Sequence, residues 1–279
     1  MKGEEAKSDE RPISKLRWSL IGLFAVISIF LVLYINHASF PIIYASVLFV
    51  TASIYSIERY SFKNTAIFFM ITWIVSLSFE ALSIQTGFPF GFYHYNLLSP
   101  IILFQVPVIV IFAYFGAGYI SWTLSHVLTG QYSKKLEGKQ IFIVPFIAAF
   151  IMVMWDLIMD PIASTVRSQW VWRNPGPYFG VPLTNFFGWF LTVFIFYQLF
   201  ALYLSKYDRI QPQKMKIPTS KLFWIEAPVV YGLIGLYPIL VSVAIHNDIT
   251  VSMSLVTVFT MLFVSLISFI AVMNNDHLR

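Results

Sequence analysis

The chain of 279 residues contains no cysteine, and Asp, Glu, Lys and Arg together make up only 11% of it. Without thiols there can be no disulfide, thiolate nucleophile, cysteine-ligated zinc or iron–sulfur cluster. The shortage of charge excludes as much, because soluble domains carry about a quarter charged residues. Hydrophobic residues reach 58%, with a mean hydropathy of +0.75. The formal net charge of +5 does not point to nucleic acid. Its basic residues stand at the ends of apolar runs instead of clustering on one binding face.

What the chain has is a succession of apolar runs long enough to cross a bilayer. Eight are expected, over 17–35, 40–57, 65–84, 101–128, 141–160, 185–204, 223–245 and 250–273. The fold class is therefore an all-α polytopic membrane protein with about eight transmembrane helices. The first run is expected to be a span and not a cleaved leader, since it is long and no small-residue cleavage site follows it. Residues 1–16 read as a mixed-charge, disordered cytoplasmic segment, 17–273 as one transmembrane domain and 274–279 as a short cytoplasmic tail. Alternate connections place sixteen Lys and Arg residues on one side and two on the other. By the positive-inside rule both termini face the cytoplasm, and the protein belongs in the cytoplasmic membrane with the lipid bilayer as its partner.

Two polar clusters, 80–96 and 156–185, interrupt the apolar sequence, and this topology sends both to the outer side. A carboxylate at membrane depth costs about 2.5 to 3.5 kcal/mol on insertion scales, so Glu80, Asp156 and Asp160 are candidate functional groups. Asp156 and Asp160 are spaced i, i+4 and share a helix face. Glu80 sits near the outer end of the third span, so the three carboxylates can meet. Glu226 stands at a helix start, where the dipole favours an anion.

The first connecting loop carries His94 among aromatics, with Tyr93 and Tyr95 beside it. It is either an interfacial aromatic belt or a segment folded back over a cavity. The second carries Trp170, Trp172 and Tyr178, suited to interfacial anchoring, and Arg167 and Arg173, the two basic residues of the outer side. The arginines either contact lipid headgroups, hold Asp156 or Asp160 ionised, or simply fasten the loop to them. The small residues Gly116, Ala117 and Gly118 serve close helix packing or open a lateral path for an apolar substrate.

The runs Gly87-Phe88-Pro89-Phe90-Gly91-Phe92-Tyr93-His94-Tyr95, Met159-Asp160-Pro161 and Tyr178-Phe179-Gly180-Val181-Pro182-Leu183-Thr184-Asn185-Phe186-Phe187-Gly188-Trp189 resemble the carotenoid biosynthesis membrane proteins that include the carotenoid hydratases. The similarity runs from about the second span to the eighth. It implies addition of water to a terminal isoprenoid double bond of a linear or monocyclic carotenoid, giving a tertiary alcohol. It also implies a carotenoid substrate, with other carotenoid biosynthesis enzymes as partners, and it assigns no catalytic residue.

The residues suit that chemistry. Alkene hydration needs a proton donor, cation stabilisation and a base for water, so no cofactor is expected. Asp160 or Glu80 is expected to donate the proton, with Asp156 or His94 taking one from water. Trp155, Trp170, Trp172, Tyr93 and Tyr95 offer ring faces to a developing cation, at about 0.5 to 2 kcal/mol each if aligned. Arg167, Arg173, Tyr178 and Asn185 complete the expected substrate-binding set. Two other classes fit part of the pattern: a magnesium-dependent prenyltransferase using Asp156 and Asp160, and a proton-coupled transporter.

Overall fold

The computed structural model describes residues 2–33, 40–96, 99–207 and 220–278. The end of the first expected span, the connection over 208–219 and the last residue of the tail lie outside them. The described residues contain seven helices long and apolar enough to cross a membrane. Helix α1 (Lys2–Leu33) begins at Lys2, so the mixed-charge segment expected to be disordered is helical.

Element α2 (Phe40–Thr86) contains the second and third expected spans. Forty-seven helical residues would reach about 70 Å, over twice the roughly 30 Å hydrocarbon core. Ser61 breaks it with φ 71° and ψ 162°. Ser56 and Thr65 hydroxyls lie 2.9 Å apart, where an unbroken helix would separate them by about 13 Å. The Phe49 and Phe69 rings, twenty positions apart, have centroids 5.4 Å apart. The chain therefore reverses at Ser61, and α2 is a pair of antiparallel helices.

Helix α3 (Val108–Leu128) is apolar all round and buried along most of its length, as expected for an inner helix. It packs against α2, α4 (Gln140–Asp160) and α6 (Lys221–Ala244), while α5 (Leu183–Tyr207) packs on α4 and α2. A Cβ on Gly116 would stand 2.8 Å from Leu48 Cγ, so this small residue serves close packing of α3 on α2. Helices α7 (Asp248–Thr257) and α8 (Phe263–Met273) join through a π-helical turn into one apolar rod. Outward-facing residues such as Phe187 and Val243, 78% and 79% exposed, suit a surface facing lipid.

Prolines inside the helices lack the N–H that would bond the carbonyl four residues back. At two of them a side chain from a neighbouring segment supplies the donor, as membrane burial requires. Gln198 Nε2 bonds the Ile141 carbonyl freed by Pro145, at 3.0 Å. The Tyr178 hydroxyl bonds the Leu157 carbonyl freed by Pro161, at 3.1 Å. Pro161 therefore does not end the helix, which continues as a π-helical turn over Pro161–Val166.

The connections between helices are more ordered than loops of this composition suggest. Strand β1 (Tyr93–Tyr95) pairs antiparallel with β4 (Trp170–Trp172), joining two segments far apart in sequence. Residues 101–107, expected as the start of a span, instead form a hairpin of β2 (Ile102–Leu103) and β3 (Val106–Pro107), turning through Phe104 and Gln105 at positive φ. The fourth span accordingly starts at Val108.

Candidate active site

Five elements bring their polar residues to one end of the helices. Glu80 comes from the second half of α2, Tyr114 from α3, Trp155, Asp156 and Asp160 from α4, and Asn185 and Trp189 from α5. The β1–β4 ribbon supplies Tyr93 and Tyr95 opposite Trp172 and Trp170. Side chains alternate along a strand, so Tyr93 and Tyr95 share a face with these indoles while His94 and Val171 take the other. All these residues except His94 and Val171 line a cavity of about 140 Å³.

Each carboxylate has a distinct set of partners. Glu80 is 3% exposed and accepts from three phenols: Tyr114 at 2.6 Å on one oxygen, Tyr95 at 2.8 Å and Tyr93 on the other. Burial, followed by the charge of Glu80, pushes the phenols of Tyr93 and Tyr95 well above their ordinary range. They remain protonated donors. Asp160 accepts from Trp170 Nε1 at 2.9 Å, Trp172 Nε1 at 3.4 Å and Asn185 Nδ2 at 2.6 Å. Asp156 receives only Asn185 Nδ2, at 2.8 Å. The Asn185 amide thus bridges the two aspartates, and Asp156 is the carboxyl with the fewest donors.

Two further residues that line the cavity hold buried donors without an acceptor: Trp155 at Nε1, and Arg167 at Nε and Nη2. The Arg167 guanidinium lies 5.5 Å from the Tyr237 ring. Trp189 stacks on Tyr114 at 4.4 Å and meets Trp155 edge-on at 5.8 Å, so aromatic faces wall the chamber beside the acids.

The sequence-derived candidates divide accordingly. Glu80, Asp156, Asp160, Tyr93, Tyr95, Trp155, Arg167, Trp170, Trp172 and Asn185 gather around the cavity. His94 does not: strand parity turns it outward and leaves it exposed. Arg173 is exposed and lies over the Phe92 ring, 5.7 Å from its centroid. Tyr178 serves the Leu157 carbonyl instead of the cavity. The expectation that arginines hold the aspartates also fails, because Asp156 and Asp160 form no salt bridge among the described residues. Glu226 is buried and pairs with Arg17 at 2.7 Å, far from the chamber. Tyr114 and Trp189 were missed, since an isolated phenol or indole in an apolar run reads as core.

The aspartates are spaced like a magnesium-binding pair, yet the groups directed at them are an amide and two indole N–H donors. Magnesium requires oxygen ligands there. No group of three or more His, Asp or Glu side chains able to hold a metal occurs among the described residues.

A family model described as carotenoid biosynthesis protein matches residues 40–268. Bisanhydrobacterioruberin hydratase from Haloarcula japonica is 27% identical over 120 residues, which cover 43% of this chain and 39% of that protein. The chain thus spans about two-fifths of the length of the curated relative it matches. No solved structure matches.

Proposed function

Since the chain belongs to the carotenoid biosynthesis protein family, we propose that it is a membrane hydratase that adds water to a terminal isoprenoid double bond of a linear or monocyclic carotenoid. The convergence of Glu80, Asp156 and Asp160 on one aromatic-walled cavity carries this reading. Acids at membrane depth are costly, and a reaction that moves a proton onto a hydrocarbon gives them work. The relative named as a hydratase supports the same chemistry.

The unequal hydrogen bonding assigns roles. Asp156, with one amide donor and an unengaged oxygen, takes the role expected of Asp160 or Glu80: it carries the proton and delivers it to the less substituted alkene carbon. The tertiary cation that results lies among the faces of Trp155, Trp189 and Tyr114, while Glu80, held by three phenols, supplies a fixed negative charge nearby. Water adds to the cation and gives its proton to the Asp156–Asp160 pair, which is restored to one shared proton. Arg167 and Trp155 Nε1 are unspent donors for the oxygen of water or of the alcohol formed. The balance is one alkene and one water in, one tertiary alcohol out.

The α2 hairpin and the distribution of Lys and Arg support eight crossings, with both termini cytoplasmic and the chamber in the outer leaflet of the cytoplasmic membrane. The apolar substrate enters laterally from the bilayer. The test is expression in hosts accumulating acyclic or monocyclic carotenoids, followed by mass analysis of the extracted pigment. A gain equal to one water is expected; unchanged pigment in every host, with the protein folded in the membrane, would remove the reading.

A further inference from the structure

At the other end of the helices, about 18 Å along α3 from Tyr114 to His126 by helical rise, three basic side chains from separate segments are buried. Arg59 comes from just before the bend in α2, His126 from the last turn of α3 and Lys134 from the loop that follows. Their exposures are 0%, 0% and 8%. The chamber and its chemistry involve none of them.

Arg59 and His126 hold buried polar atoms that lack partners. Arg59 Nε, Nη1 and Nη2 are buried without a hydrogen bond. Its guanidinium carbon lies 4.8 Å from the Tyr60 ring and 4.6 Å from the Trp224 ring, contacts that satisfy the faces of the group but not its N–H edge. His126 engages the Gln131 carbonyl through Nδ1 and leaves Nε2 bare. The carboxylates nearby are committed elsewhere: Glu58 and Glu226 pair with Arg17, and Glu137 with Lys135. Burial, then the charge of Arg59, brings the Lys134 ammonium down to about 8. The rings under Arg59 tie the three groups together: the Trp122 indole donates to the Tyr60 hydroxyl at 3.0 Å and meets the His126 ring at 4.9 Å, while Tyr132, two positions before Lys134, packs edge-on against Trp224 at 4.7 Å. Taking the Arg59 and Lys134 charges out of water without a counter-ion is costly, and an anion held between them, accepting from His126 as well, would offset that cost.

We propose that Arg59, His126 and Lys134 form a binding site for a phosphate group, presented by an anionic lipid headgroup or by a soluble phosphate or diphosphate. The guanidinium fork matches two phosphate oxygens, and a lysine adds a mobile point charge. The loop carrying Lys134 also shapes a polar recess beside it, lined by Gln131, Ser133, Lys135, Glu137 and Gln140.

The test uses the purified full-length protein. Thermal unfolding in detergent is followed with inorganic phosphate, diphosphate or chloride at matched ionic strength, and lipid retention is read by native mass spectrometry from nanodiscs of phosphatidylglycerol or phosphatidylcholine. Saturable stabilisation by phosphate or diphosphate beyond chloride assigns a soluble ligand; selective retention of phosphatidylglycerol assigns a headgroup. Either effect should weaken at least tenfold in Arg59→Met and in Lys134→Gln, and Lys134→Gln decides alone if Arg59→Met does not fold. Absence of both effects, or equal effects in wild type and Lys134→Gln, overturns the site.

Discussion

Asp156 and Asp160 lie one helical turn apart and share a single amide, yet one receives three hydrogen bonds and the other one. On that difference rests the proposed role of Asp156 as proton carrier. Asp156→Asn should lower hydration about 10²- to 10⁴-fold, the range of a lost general acid, while leaving the protein folded, as read by pigment conversion beside thermal unfolding. Asn185→Leu, which removes the bridge, should reduce the rate at saturating substrate more than it raises KM. His94→Ala should change conversion less than twofold because its side chain leaves the chamber. The carboxylates were legible in sequence, since an acid in an apolar run stands out by cost alone. Tyr114 was not, because a phenol in an apolar helix looks the same whether it fills space or donates to Glu80 at 2.6 Å. His94 misled because strand parity is invisible until the segment is known to be a strand.

Helices and turns show the same split. Eight spans and the two polar connections were expected from hydropathy; the described residues hold seven long apolar helices, with two of the expected spans inside α2, and the partners of the connections did not follow from hydropathy at all. Pairing of β1 with β4 depends on contacts across 75 to 79 positions, from Tyr95 with Trp170 to Tyr93 with Trp172, that no local pattern encodes. The fifth span was expected to stop at residue 160, yet Tyr178 replaces the donor missing at Pro161 and the helix continues as a π-helical turn. Tyr178→Phe should therefore cost about 1 to 3 kcal/mol, the penalty of a buried carbonyl left unpaired, seen as a lowered midpoint of thermal unfolding. A Cβ at Gly188 would stand 2.7 Å from Phe90 Cδ1 and 2.8 Å from the Pro89 carbonyl oxygen. Gly188→Ala should push the first connection off α5 and lower conversion, with a smaller loss of stability than of activity.

For the whole molecule, the absence of cysteine makes the topology directly measurable. Phe104 in the β2–β3 turn and Phe62 beside the α2 bend are 71% and 74% exposed, at opposite ends of the helices. In intact cells, Phe104→Cys should react with a membrane-impermeant maleimide, whereas Phe62→Cys should react only after permeabilisation; the reverse pattern would invert the proposed orientation. The β1–β4 ribbon has a last consequence. Its one face delivers the phenols to Glu80 and the indoles to Asp160, so a slip of a single residue between the strands would misplace both sets together. The surroundings of the two acids are mechanically ganged. Changes that retune one without disturbing the other must therefore come from the helices, leaving this short clasp little freedom to diversify.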